Sequence, residues 1–232
     1  MSDPGHTPAL RVIKVGGSLL LLPDLKQRIE GWLAKQTPAR NLWIVGGGSE
    51  VDALRNQDTG SPAEATNFHW SAIEIMDKHA KRLADDFPSW QIETITNRDF
   101  RRSQTAAQHD IPNFPALELS PSANVILSAT SWAKKLASRL PATWNVTSDS
   151  IAAAIAVELE SDELVLMKSA NPPPPATLKS LVDKGFVDAF FLEALKTSTR
   201  RNTSQENTNH AQPLRLKTVN LRTADFCELA ID

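Results

Sequence analysis

The chain of 232 residues lacks most of the features that would settle its class at a glance. Its one cysteine, Cys227, excludes an internal disulfide framework and a zinc site built from cysteines. Tyrosine is absent, against six tryptophans. No apolar run approaches the ~20 residues of a membrane-spanning helix. There is no charge excess either: 25 Lys and Arg against 27 Asp and Glu leave a formal net charge of -2. Nothing therefore points to a nucleic-acid backbone or to a solvating tail. The leader "MSDPGHTPAL" lacks the basic-then-apolar pattern of a signal peptide, so the expectation is a soluble, cytoplasmic protein. The five histidines show no H-E-x-x-H spacing, and no G-x-S-x-G marks a nucleophilic serine.

What is present is an ordinary globular composition, 41% hydrophobic and 22% charged, in a chain long enough for a sizeable core. Strand and helix patterns alternate. "LRVIKVGG" (10–17), "NLWIVGGG" (41–48) and "DELVLMKS" (162–169) read as short buried strands. "WQIETIT" (90–96) alternates like a strand, "NVILS" (124–128) reads as a strand or turn, and "LKTVNLR" (216–222) as the last strand. Helical periodicity appears over 24–36, 49–57 with Ser49 as N-cap, 65–87, 130–140 and 147–161. Alternation of this kind predicts an α/β fold, a mainly parallel sheet with helices on both faces. "NPPPP" (171–175) is an extended connection, and the polar stretch 197–213 reads as a loop or flap.

Two buried strands end in glycines, Gly16-Gly17 and Gly46-Gly47-Gly48, each followed by a helix. Glycine there lets backbone N–H groups approach an anion, and the helix dipole adds to the attraction. Two such loops suggest a site for several phosphate groups, although either alone could be a tight turn. Neither has the Rossmann or Walker spacing. Lys14 precedes its glycines by two residues and can reach the same anion from the strand end. Asp149, in "NVTSDSIAA" (145–153), either serves the helix dipole or also holds cationic groups in the site. Thr147 or Ser148 can cap that helix. Lys168 ends its strand, read as two strands away at the same sheet edge, and either meets a phosphate or is solvated. His69 either lines a substrate pocket or is a satisfied, partly buried histidine.

"KVGGSLL", "IVGGG", "NVTSDSIAA" and "LVLMK", in that order, resemble the amino acid kinase family of acetylglutamate, aspartate, uridylate and isopentenyl phosphate kinases. Within it, "FHWSAIEIMDKHAKRLA", "WNVTSDSIAA" and "GFVDAFF" look most like the aminomethylfuran-methyl phosphate kinases of methanofuran synthesis and their bacterial one-carbon relatives. The resemblance implies a three-layer α/β/α sandwich forming a single domain. About 10–160 would bind the acceptor and about 161–232 would form a shortened ATP part. It also implies ATP and Mg²⁺ as cofactors, a small-molecule substrate and often a homo-oligomer. Carried over, Lys14 would touch the transferred phosphoryl group. Amides of Gly16, Gly17, Gly47 and Gly48 would cradle phosphates, and Asp149 would orient the lysines and reach magnesium through water. Ser18, Gly46, Asn145, Thr147 and Ser148 lie in or beside these motifs and complete the candidate binding set with His69. Lys168 and Ser169 stand where many members carry Thr-Asp, and either Lys168 or Lys196 would serve as the second catalytic lysine. Two functions follow: a kinase acting on a phosphate monoester, or a ligand-binding homologue that has lost ATP chemistry, as the altered "KSANPPPP" stretch would suggest.

Overall fold

The computed structural model describes residues 9–93, 123–196 and 213–231. The flap read over 197–213 lies outside them, apart from its last residue, as does the strand pattern beyond Glu93. The elements run β1 (Leu10–Val15), a 3-10 turn (Gly17–Leu21), α1 (Leu25–Leu33), β2 (Arg40–Val45), α2 (Gly48–Arg55) and α3 (Pro62–Asp86). Then come β3 (Gln91–Glu93), β4 (Asn124–Leu127), α4 (Ala129–Lys135), α5 (Ser148–Glu158) and β5 (Glu163–Lys168). The chain ends with α6 (Leu178–Asp183), α7 (Phe191–Ala194), β6 (Arg215–Asn220) and β7 (Glu228–Ile231). One seven-stranded sheet has the order β3-β4-β2-β1-β5-β6-β7. All neighbours are parallel except β6 and β7.

The continuous apolar strands occupy the centre, where both faces are covered. On one face Val12, Ile44, Leu164 and Leu166 pack against α4, α5, α6, α7 and the first half of α3. On the other, Ile13, Val15, Trp43 and Met167 pack against α1 and the end of α3. Thus α3, 25 residues and about 37 Å long, serves both layers. Its start is capped by Ser61, whose side chain accepts from the Glu64 N–H, four residues before the start that the apolar period gives, while the Glu64 carboxylate accepts from the Thr59 hydroxyl. Helix α5 is buried from Ser148 to Ala156, and its run of alanines lets its backbone lie close on the sheet.

Three expectations are corrected, and two helices are added. Helix α2 begins at Gly48 with Gly47 as N-cap and no side-chain cap, so Ser49 sits inside the first turn. Strand β6 is not the last, because β7 turns back antiparallel beside it. The short helices α6 and α7 are too brief to show a period. Strand β5 is not two strands from β1 but pairs with it directly, Lys14 opposite Leu166.

Near the N-terminal ends of the strands a lateral belt of polar side chains crosses six of them. Arg11 is in register with Glu163 on one side and Asn41 on the other, and bonds to both. Asn41 donates to Asn124, which also accepts from the Trp43 indole. Lys217 bridges Glu163 at 3.0 Å and Glu228 at 2.7 Å. Burial alone would raise the Glu163 carboxyl, but the Arg11 guanidinium and then Lys217 hold it below its ordinary value. Because each partner sits on a different strand, a one-residue slip would strand a buried charge. Replacing Glu163 with Ala should therefore lower unfolding stability by about 3–5 kcal/mol in urea titration. A loss under about 1 kcal/mol, the size of a surface pair, would remove the belt as a register device.

Candidate active site

The C-terminal ends of β1, β2 and β5 form one edge, and each brings part of a cluster there. The two glycine loops meet backbone to backbone. A Cβ on Gly17 would fall 2.0 Å from the Gly48 nitrogen, and one on Gly47 would fall 2.1 Å from the Val51 side chain. Gly48 has φ +56°, a conformation that only glycine adopts without strain. The Gly16 N–H donates to Met167 O at 2.8 Å and the Gly46 N–H to Val15 O at 2.9 Å. Those two amides extend the sheet ladder and are not available to an anion, which corrects the expectation for Gly16. The N–H groups of Gly17, Gly47 and Gly48 donate to no protein acceptor among the described residues. The Gly46 carbonyl faces His79 Nδ1 at 3.1 Å, and His79 Nε2 faces Glu50 at 3.1 Å, so α3 fixes the second loop.

At the same edge Asp149, in the first turn of α5, receives two lysines. Lys14 Nζ lies 2.9 Å from Oδ1 and Lys168 Nζ 2.7 Å from Oδ2. The Lys168 ammonium also donates to Phe186 O at 2.8 Å and lies over the Phe186 ring. The Lys14 contact is an ion pair by distance, but Asp149 Oδ1 has no well-aligned hydrogen bond. Lys14 and Asp149 are each only 5% exposed. Burial alone would raise the Asp149 carboxyl; Lys14 and then Lys168 overcome it and hold it at about 2. Burial lowers Lys168 to about 8, with Asp149 opposing that shift and Lys14 adding to it. Two cations and one anion give the buried triad a net charge of +1.

Asp188 is a residue that the motif reading passed over, although it lies within the quoted "GFVDAFF". Its carboxylate accepts from the Thr147 N–H and hydroxyl (3.0 and 2.7 Å), the Ser150 N–H (3.0 Å) and hydroxyl, and the Phe190 N–H (3.1 Å). It thereby gathers the donors at the start of α5 and braces the turn that carries Asp149. Thr147 is the N-cap, as one of the two alternatives had it. An acidic residue shortly before the Phe-Phe pair was the available signal, but nothing local tied it to a helix forty residues earlier.

The other candidates divide. Ser148 is buried next to Gly46, and its Oγ lies 3.1 Å from where a Gly46 Cβ would be. Ser18 Oγ and Ser169 Oγ are 2.9 Å apart, joining the first glycine loop to the end of β5. Asn145 is not brought in: it is exposed, and its backbone carbonyl accepts from Phe190. Lys196 stands on the surface against Glu193 at 2.6 Å, away from the triad. His69 lines a pocket beside Gly47, Thr147 and Ser148. Among the described residues no cluster of three or more His, Cys, Asp or Glu could hold a metal ion, and no helix is long and apolar enough to cross a membrane.

No curated protein sequence matches the chain. Among solved structures, the UMP kinase of Ureaplasma parvum superposes with a TM-score of 0.57 at 15% identity, over 97% of this chain and 100% of that one. The UMP kinase of Bacillus anthracis gives 0.55 at 13%, with the same coverage. Identities this low speak to the fold alone, a three-layer arrangement on a mostly parallel sheet. The family model described as "Amino acid kinase family" matches residues 9–171, which include both glycine loops, Asp149 and Lys168. The chain belongs to the amino acid kinase family.

Proposed function

We propose that the protein is a small-molecule kinase that transfers the γ-phosphoryl group of ATP to an acceptor that is itself a phosphate monoester. The observation that carries this reading is the buried triad of two lysines on one carboxylate. Two ammonium groups share that carboxylate at the strand ends, and the Gly17, Gly47 and Gly48 amides donate to no described acceptor, so an anion there would gain both charge and directed donors. Phosphoryl transfer needs positioning and charge dispersal rather than a covalent intermediate. Lys14 and Lys168, held by Asp149, would supply the charge. The amides of Gly17, Gly47 and Gly48, with the start of α2, would supply directed donors.

On this reading, residues up to about 160 hold the acceptor. The ends of β5 and β6, with Lys168, Ser169, Asn171 and Asn220, face the nucleotide. Asn220 donates to Asn171 at 2.9 Å, closing that side. The described residues fit Mg²⁺ brought on the nucleotide's own oxygens rather than in a protein cage, since Asp149 is already committed to two lysines. When bound, Mg²⁺ would neutralise phosphate charge. The resemblance narrows the acceptor to a phosphorylated aminomethylfuran. An acceptor that is already a phosphate needs no strong general base, in keeping with a triad whose one carboxylate is fully ion-paired.

The direct test is ADP release from Mg-ATP with aminomethylfuran-methyl phosphate, UMP and isopentenyl phosphate in parallel. Turnover of any of them supports the kinase. No turnover, with no thermal stabilisation by Mg-ATP, would leave only a binding protein. Lys14→Ala should keep the fold and lower turnover by about 10²–10³, the cost of losing one donor aimed at transition-state charge. Near-normal turnover would take Lys14 out of the site.

The pH dependence has a definite sign. Lys168 is useful as the ammonium, which exists below its value of about 8, whereas Asp149 at about 2 is ionised throughout. The ratio kcat/KM should therefore fall as pH rises through about 8. Asp188 opposes the lowering of Lys168, so Asp188→Asn should move that limb to lower pH as well as loosening α5. A limb that stays in place while stability drops would make Asp188 a helix cap only.

A further inference from the structure

Directly behind the second glycine loop stands a buried, titratable side chain that the proposed chemistry does not use. His79, in the second half of α3, is 6% exposed. Its two ring nitrogens face partners on two different elements. Nδ1 lies 3.1 Å from the carbonyl oxygen of Gly46, where the chain leaves β2. Nε2 lies 3.1 Å from a carboxylate oxygen of Glu50, in the first turn of α2. The Gly47 and Gly48 amides lie on the short span between these two anchors.

Both partners are of one kind. A backbone carbonyl only accepts, and so does an ionised carboxylate. Glu50 is kept ionised: Lys78 donates to its other oxygen at 2.7 Å, and that bond, then the one from His79, holds the carboxyl below its ordinary value. A neutral imidazole has one N–H and one lone pair. It can donate to one of the two partners and must turn its lone pair on the other. Only the imidazolium donates to both. The neighbouring charges are engaged elsewhere. On α3 itself Lys78 is held by Glu50, and Asp77 accepts from the start of α4, including Ala129 N at 2.6 Å. The glycine loop carries no charge, and at the ends of β1 and β5 Lys14 and Lys168 are held on Asp149.

We infer that His79 is a positioning residue for the second glycine loop and holds it only as the imidazolium, so that an anion at the Gly47 and Gly48 amides is linked to a proton kept behind them. The inference rests on reading the glycine loops as the phosphate site. Its sign is fixed by the two contacts. When His79 loses its proton, either Gly46 or Glu50 loses its donor, and the span between them is released. The form that binds an anion keeps the proton. By reciprocity, a bound anion raises the pH at which His79 gives the proton up.

Glu50→Gln separates this lock from mere packing. The substitution keeps the shape but supplies an amide that donates as well as accepts. A neutral ring can then keep both contacts, with Nδ1–H on Gly46 and its lone pair on the new amide. The readout is the imidazole nitrogen NMR signal of His79 in the full-length protein, followed over a pH series with and without pyrophosphate. In the free proteins, the change from two protonated ring nitrogens to one should come about one pH unit or more lower in Glu50→Gln than in the wild type, a tenfold change in that equilibrium. Pyrophosphate should raise the wild-type midpoint, and raise that of Glu50→Gln by less than about half as much. Equal midpoints in the two free proteins would overturn the inference, since Glu50 would not be holding a charged ring. A pyrophosphate shift of the same size in both would overturn it as well, being the field of the anion alone. Failure of pyrophosphate to bind would overturn the phosphate site and the linkage with it, while the comparison of the free proteins would still decide whether His79 holds the loop as a cation.

Discussion

Two ammonium groups on adjacent parallel strands repel each other, and burial makes the repulsion costly. Lys14 and Lys168 can share one edge of the sheet because Asp149 stands between them, one carboxylate oxygen to each. Much of the C-terminal edge follows from that constraint. The carboxylate must arrive at a fixed height, so α5 has to press close on β1 and β5, which its alanines allow. Its first turn must not fray, so Thr147 caps it and Asp188 gathers the donors around it. The loops leaving β1 and β2 are glycines whose backbones meet without intervening side chains, which on the proposed reading leaves room for an anion in front of the lysines.

Strand, glycines, helix: this local grammar was legible in the sequence, because it depends on residues next to each other in the chain. So were the buried central strands, from their unbroken apolar character. Strand order was not. Periodicity places β5 on a strand but says nothing of its neighbour, which is set by where the chain crosses over. Lys168 therefore read as a distant contributor when it sits two residues beyond the level of Lys14 on the adjacent strand. Asp188 was hidden for the same reason, since its partners lie some forty residues away. Gly16 misled in another way: as the first of two glycines it looked free, yet its amide is still part of the ladder. Toward the end of the chain, Lys168 and Lys196 could not be separated by motif. Burial separates them, with one lysine held on Asp149 and the other on the surface with Glu193.

The same sheet carries a second set of paired charges away from that edge, buried at Arg11 and Glu163, and the two sets contrast in how their charges are matched. The belt of Arg11, Glu163, Lys217 and Glu228 holds two cations and two anions. Its charges cancel, its partners lie on neighbouring strands, and its members answer one another without a ligand. Such a network fixes register and asks for nothing further. The triad at the C-terminal end has two cations and one anion, and Asp149 Oδ1 still lacks an aligned donor. The further carboxylate that acts on Lys168, Asp188, is taken up by Thr147, Ser150 and Phe190 donors rather than by a lysine. The position after Lys168 is Ser169, which bonds to Ser18 and adds no charge. The sheet thus pairs its charges one to one at one end and sets two lysines on one carboxylate at the other, the edge where two glycine loops and a helix start converge. On the proposed reading, the partner this edge takes is a multiply charged anion, which the two ammonium groups and the glycine amides would share.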